Sequence, residues 1–413
     1  MKPIFHAAIF YGIAFSSVVA AQRTLSELIA ASLSGHESVL IGQQKVKSLE
    51  KSNQSQLALD PAQIQLNSGY KSSSVSSDRG LHFGVQVLQP LKITGRYSKL
   101  EAMNDQSRGL VKMQATQDKL YLTGRVIAYA YKKALFDEMQ AHSQERLRRL
   151  QLIEKHIARR PFLSPKRKAE KKIISARIRS LRLEFDELTI AAQAALKDLQ
   201  MVTDFKDDDS LAITAWPKYD LRTMARIKFQ LNNNSRIKNL QKQKTYLQAR
   251  KNYFEASKYP DLSVGGYYNQ EPAGGTESYA GAMVQVQFSF STAKNNRAIE
   301  SVEASEKALE LQIQRSKKNL ELELQSRINR VSLYYEKIQK WPDSENQEKE
   351  IEGLETDFRK GNIDVITFLE AENSIHESMH SFMQMKNAYI SEFVYLAGMT
   401  SDIKFMKEVF HVK

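Results

Sequence analysis

The feature that most constrains this chain is a plan written twice. Pro260 lies 199 residues after Pro61, Gln285 lies 199 after Gln86, and Gly361 lies 200 after Pro161. The local text repeats as well, Val85-Gln-Val87 matching Val284-Gln-Val286. Self-similarity at one fixed offset marks a duplicated structural unit. Each unit reads in the same order: helix, two strands, long helix, reversal, helix.

Helical pattern runs from Thr24 to Leu57 and stops at Asp60-Pro61. Ile64, Leu66 and Tyr70 then alternate with Gln65, Asn67 and Gly69. After Asp78-Arg-Gly80, Phe83, Val85 and Val87 alternate with Gly84 and Gln86, so two strands join through a polar turn. Arg96 to Arg160 contains no proline and predicts a single helix of about 95 Å at the rise of an α-helix. It ends at Pro161-Phe-Leu-Ser-Pro165, a second helix runs from Lys166 to Met201, and an acidic link from Asp204 to Asp209 leads to Trp216-Pro217. The second half predicts a helix from Leu221 to Lys258, a stop at Tyr259-Pro260-Asp261, and a strand carrying Leu262, Val264 and Tyr268. A turn at Pro272–Gly275 follows, then a strand carrying Val284, Val286, Phe288 and Phe290, and a long helix from near Lys294. Pro342, 199 residues after Ser143, predicts a kink in that helix. With only 17 Gly and 9 Pro in 413 residues, the expected fold is mainly α with a small β part.

Lys2, the apolar run from Ile4 to Phe15 and the small residues Val19, Ala20 and Ala21 read as a secretory signal peptide. No later apolar run is long enough for a spanning helix, so a membrane crossing would have to use strands. Each strand approaches the 9 to 11 residues of a tilted spanning strand, with one face for lipid and one for water. Four strands cannot close a barrel, and open edges are not tolerated in hydrocarbon. Insertion therefore requires several chains sharing one barrel, with two helical hairpins projecting into the periplasm. Tyr70, Tyr267, Tyr268 and Tyr279 suit its aromatic girdles. The expected division is 1–21 signal peptide, 22–215 first repeat, 216–400 second repeat and 401–413 C-terminal tail.

The chain has no cysteine, which removes disulfides, thiolate metal sites and cysteine catalysis. Its formal charge of +13 is spread along helices among acids, which reads as a solvated surface and not as a nucleic-acid interface. No catalytic or cofactor-binding constellation is visible, so no enzyme is expected. His376 and His380 stand at i, i+4, but no third metal ligand is evident in the sequence, and they read as a surface pair.

At Tyr259-Pro-Asp-Leu-Ser-Val-Gly-Gly-Tyr267, at Val284-Gln-Val-Gln-Phe288, and at Gly361 followed by Val365, Leu369, Glu370, Ala371 and Tyr395-Leu-Ala-Gly398, the sequence resembles the TolC-like outer-membrane efflux protein family. The resemblance spans essentially the whole chain after residue 21. It implies a homotrimer with a barrel shared in outer-membrane lipid, an α-helical periplasmic tunnel closed at its helix tips, a periplasmic adaptor protein and an inner-membrane transporter. In such a pump or type I secretion system, the inner-membrane partner largely chooses the cargo. The resemblance also places Glu370 at an acidic entrance ring, with Thr367 where another acid is expected and Asp364 as a nearby substitute. Phe358 stands where the family often carries a gating tyrosine. The tips that would meet the adaptor are Phe162, Leu163 and Ser164 at the first reversal, with Arg159, Arg160, Lys166, Arg167, Lys168, Lys171 and Lys172 around them, and Gly361 and Asn362 at the second. A periplasmic coiled-coil adaptor or scaffold is the alternative, but an adaptor has a single hairpin, whereas here two follow in tandem, each preceded by strands.

Overall fold

The computed structural model describes residues 22–72, 79–92, 95–159, 164–213, 216–230, 234–272, 276–287, 292–341 and 344–412. The expected signal peptide, Arg160, Pro161, Phe162, Leu163, Phe288, Phe290 and Pro342 lie outside them.

The first half comprises β1 (Gln22–Thr24), α1 (Leu25–Gly35), α2 (Glu37–Leu57), β2 (Gln63–Ser72), β3 (Arg79–Leu91), α3 (Gly95–Ala158), α4 (Pro165–Gln200) and β4 (Ser210–Ala212). The second comprises α5 (Leu221–Gln230), α6 (Ser235–Ala256), β5 (Asp261–Pro272), β6 (Thr276–Gln287), α7 (Thr292–Gln339), α8 (Ser344–Lys360), α9 (Val365–Met399) and α10 (Ile403–Val409). The order predicted from the two repeats is present, and the fold is mainly α with a small β part. No helix among the described residues is long and apolar enough to cross a membrane.

α3 is the pillar of the molecule. Its 64 residues contain no proline and span about 96 Å at 1.5 Å per residue. Its buried residues pack against α1, α4, α6, α9 and α10. The main core gathers Leu28, Ile29, Val126, Ile127, Tyr131, Leu199, Ile227, Val331, Phe393 and Phe405 around the middle of the helices. Each such side chain contributes about 1.5–3 kcal/mol by leaving water. α10 supplies Phe405 and Met406 to this core, so residues 403–409 are docked helix.

Two helices expected to be continuous are interrupted, and the second long helix, expected to kink, is divided in two. Thr24–Leu57 breaks at His36, which adopts an extended backbone and caps α2 by accepting from the Ser38 amide at 3.2 Å. Leu221–Lys258 breaks before Asn234, whose side chain accepts from the Arg236 amide at 2.9 Å and donates to the Met399 carbonyl at 2.8 Å. The second long helix stops at Gln339 and resumes at Ser344. A short parallel pair, β1 with β4, has no counterpart among the predicted strands and registers Gln22 opposite Ser210.

β2, β3, β5 and β6 form one antiparallel sheet in that order, joining both halves through the β3–β5 pair. The register keeps one set of side chains in phase across all four strands. Ile64, Leu66, Tyr70, Leu81, Phe83, Val85, Val87, Leu262, Val264, Tyr268, Val284 and Val286 share one face. Gln65, Asn67, Gly84, Gln86, Ser263, Tyr267, Asn269, Tyr279, Gly281 and Gln285 share the other. Directly opposed residues lie on the same side of a sheet, so one face is mainly apolar, with Ser68, Gln89, Gln270 and Ser278 also on it, and the other mainly polar, with Leu88 and Met283 among its residues. Tyr267 and Tyr279 are therefore on the polar face, where a girdle against lipid cannot use them, whereas Tyr70 and Tyr268 are on the apolar one. Gly281 makes room for the Tyr267 ring, since a Cβ there would sit 2.9 Å from it.

Candidate functional site

The ends of the two hairpins remote from the sheet are built side by side. At the first, Ser164 caps α4 by accepting from the Arg167 amide at 3.3 Å, with Pro165 in the first turn, where its missing N–H costs nothing. At the second, Gly361 takes φ +85°, and its amide donates to the Phe358 carbonyl at 3.1 Å while that of Asn362 donates to the Asp357 carbonyl at 2.9 Å. This paired pattern closes a helix C-terminus through a left-handed residue, which glycine occupies at least cost. Asp364 then caps α9, accepting from the Thr367 amide at 2.8 Å. That bond, helped by nearby Lys166, holds the Asp364 carboxyl below the usual carboxylate range. Beneath the tips a second core joins α3, α4, α8 and α9 through Leu150, Ile153, Ile157, Ile174, Phe358 and Phe368.

The sequence-predicted residues thus fall into different environments. Phe358 is buried and packs its ring 5.3 Å from that of Phe368. Ser164, Gly361, Asn362, Asp364, Thr367 and Glu370 are exposed at or just above the tips. Lys166, Lys168 and Lys172 are exposed beside Ser164, and Arg167 is half-buried against Glu170 at 2.8 Å. Thr367 and Glu370 begin an exposed stripe that continues through Ser374, Glu377, Ser378 and Ser381, small and acidic residues at three- and four-residue steps on one helix face. Glu377 joins Glu370 on this face two turns higher. It was missed in the sequence because only the segment next to Gly361 carried a signal.

Two residues beyond Glu370 the role of a carboxylate reverses. Glu372 is buried, 5% exposed, and meets the equally buried Arg146 of α3 in a two-pronged ion pair, Nη2 donating to Oε2 at 2.7 Å and Nε to Oε1. Asn373 accepts from Arg146 at 3.3 Å and from Arg177 of α4, and Arg177 reaches Glu184 at 3.3 Å. Arg146 Nη1 faces Glu184 at 3.6 Å, an ion-pair distance too long for a hydrogen bond. This network fastens both hairpins together just above the tip core, with Arg146 as the buried partner of Glu372 and Glu184 as a second, more exposed carboxylate facing Arg146.

One turn above Glu372, the His376 ring lies parallel to His142 of α3, centroids 5.5 Å apart and planes within 8°. Burial, then Arg146, His142, His380 and Arg177, push the His376 pKa down to about 3, so its ring is neutral. Among the described residues no group of three or more His, Cys, Asp or Glu converges to hold a metal.

Long hairpins around a shared core, with one four-stranded sheet amphipathic across its thickness, are an architecture found in known channels. A membrane protein from Pseudomonas aeruginosa matches with a TM-score of 0.73 at 12% identity, over 92% of this chain and 91% of that one. The CmeC outer membrane channel of Campylobacter jejuni matches at 0.70 and 12%, over 91% and 85%. The outer membrane protein VceC of Vibrio cholerae matches at 0.66 and 14%, over 91% and 96%. No protein-family model and no curated protein matches the chain. The likeness is therefore one of fold, and the fold is the TolC-like one of the outer-membrane channels.

Proposed function

We propose that this chain is one protomer of a trimeric outer-membrane channel-tunnel that passively conducts substrate from a periplasmic adaptor and inner-membrane transporter to the exterior, in an efflux pump or type I secretion system. The observation that carries the reading is the sheet. Among the described residues its apolar face is bare, with Leu81 80% exposed and Val284 71%, and both outer strands, β2 and β6, have an unpaired edge. A water-soluble sheet would cover that face and blunt those edges. In a shared barrel the apolar face meets lipid, the polar face lines the lumen, and β6 of one copy pairs with β2 of the next. Three copies supply twelve staves, above the roughly eight needed for a barrel with an interior.

On the same reading α9 presents Thr367, Glu370 and Glu377 to the tunnel, and the cationic tip around Ser164 receives an acidic helical face of the adaptor. Fractionation tests the location. The protein should stay with outer membranes through high-salt and carbonate washes and give ohmic conductance in planar bilayers. Release by salt would contradict a barrel-anchored channel. Ser164→Glu should weaken pull-down of the cognate adaptor while the oligomer assembles normally, and undiminished capture would remove the docking assignment.

A further inference from the structure

α9 carries His376, Met379, His380 and Met383 at i, i+3, i+4 and i+7, which stacks them on one helix face. α3 presents Met139 and His142, three apart, opposite them, and Leu188 of α4 closes the side. Between these side chains lies a partly open space of about 10 Å³, room for one water-sized atom. A core gap of this kind is normally filled by leucine or left wholly apolar. Here it is walled by three imidazoles and three thioethers, with Met383 fully buried at its head.

One feature indicates that something other than a hydrocarbon side chain belongs there. His376 Nδ1 is buried and finds no hydrogen-bond partner, a state that ordinarily costs roughly 1–3 kcal/mol. An imidazole nitrogen offers a lone pair, and thioethers are soft donors that bind soft ions in preference to hard ones. No carboxylate and no thiolate lines the space, so calcium, magnesium and the usual structural zinc sites lack their ligands. The charges around it are Arg146 and Arg177, which face Glu372, Glu184 and Asn373, and Glu377 on the adjoining turn. An added charge of one is easier to hold beside those two guanidinium groups than a charge of two.

We propose that this cavity between α3 and α9 binds one soft monovalent cation, Cu⁺ or Ag⁺, through His376 and the thioethers of Met379 and Met383, with the Met139 thioether of α3 as the fourth donor. Bound there, the ion bridges the two hairpins one turn above the Arg146–Glu372 pair and tightens their contact. The proposal does not depend on the channel reading, since every ligand belongs to a single chain.

The test uses the full oligomer in detergent, under reductant and without oxygen. Competition with a chromophoric Cu⁺ chelator should show one equivalent bound per chain, and Ag⁺ should raise the melting temperature where Zn²⁺ does not, because a ligand that binds only the folded state stabilises it. The double variant Met379→Leu, Met383→Leu conserves volume and should fold, as judged by the heat-resistant oligomer on gels. It should lose at least tenfold in Cu⁺ affinity, whereas Met113→Leu, on α3 outside the cavity, should lose nothing. No retained Cu⁺, equal retention by the double variant, or equal stabilisation by Zn²⁺ would each overturn the proposal.

Discussion

The two helical hairpins began as one plan, and the differences between them are instructive. In the first, α3 runs unbroken for 64 residues, with Ser143 buried about three quarters of the way along. In the second, the equivalent stretch is divided into α7 of 48 residues and α8 of 17, and next to the break Trp341 stacks on Phe382 with centroids 4.8 Å apart. The unbroken helix sits centrally and packs against neighbours along its length. α8, by contrast, packs on α9 and is held near the tip by Phe358. A duplicated unit can thus keep its long helix whole in one copy and divide it in the other, and the exposed acids Glu370 and Glu377 are carried by α9, in the divided copy.

If the buried network is what fastens the hairpins together, removing one partner should have the largest effect. Arg146→Leu or Glu372→Leu alone should destabilise the fold by about 3–5 kcal/mol, because each strands a buried charge. The double variant should recover much of that loss. Thermal unfolding of all three variants checks this, and additive losses would show that the pair is not coupled.

A smaller effect is expected at the reversal of the second hairpin. Gly361→Ala should cost about 1–2 kcal/mol, purely for a side chain in the left-handed region, since nothing lies within 4 Å of the added Cβ. Gly353→Ala, in the middle of α8 and equally open, should be neutral or slightly stabilising. Equal effects at the two positions would remove the cap as the cause.

Acid should loosen the first hairpin by a modest amount. Glu145 is held down to about 2, chiefly by a hydrogen bond from Arg148 and also by Arg149. A carboxyl depressed in the fold stabilises fully above its unfolded value near 4.5, and that contribution is lost as pH falls from there toward about 2. Glu145→Gln should flatten the melting-temperature profile in that window, melting slightly below wild type at neutral pH and converging with it toward pH 2, a small difference because the pair is surface-exposed. The smallest stability effect belongs to Glu370→Ala, whose consequence should be functional: weaker cation selectivity, read as a shift in reversal potential across a salt gradient. An unchanged reversal potential would leave Glu370 an ordinary helix acid.

Most of the fold was legible because the signals for it are local. Proline placement marks the stops at Pro61 and Pro260, alternation marks the strands, and the fixed offset marks the duplication. The break at His36 carries no proline, and its one mark, Ser34-Gly35, is outweighed in the sequence by helical pattern on both sides. Tyr267 and Tyr279 show how a local reading can slip, since neighbouring tyrosines on a strand face opposite ways and only the register decides which side is apolar. At the site, exposure and capping at Asp364 follow from its position after Gly361-Asn-Ile. The partnership of Glu372 with Arg146 joins residues 226 apart, and that of His376 with His142 crosses between hairpins, so no pattern in one segment could announce either.

The central claim is that the four-stranded sheet is a fragment of a barrel closed by identical copies. Native mass measurement of the detergent-extracted protein, paired with cross-linking in intact membranes, tests it most directly. Three copies per particle, with links between neighbouring chains at the β2 and β6 edges, are expected. A stable single chain inserted in the bilayer, with both edges free, would contradict it.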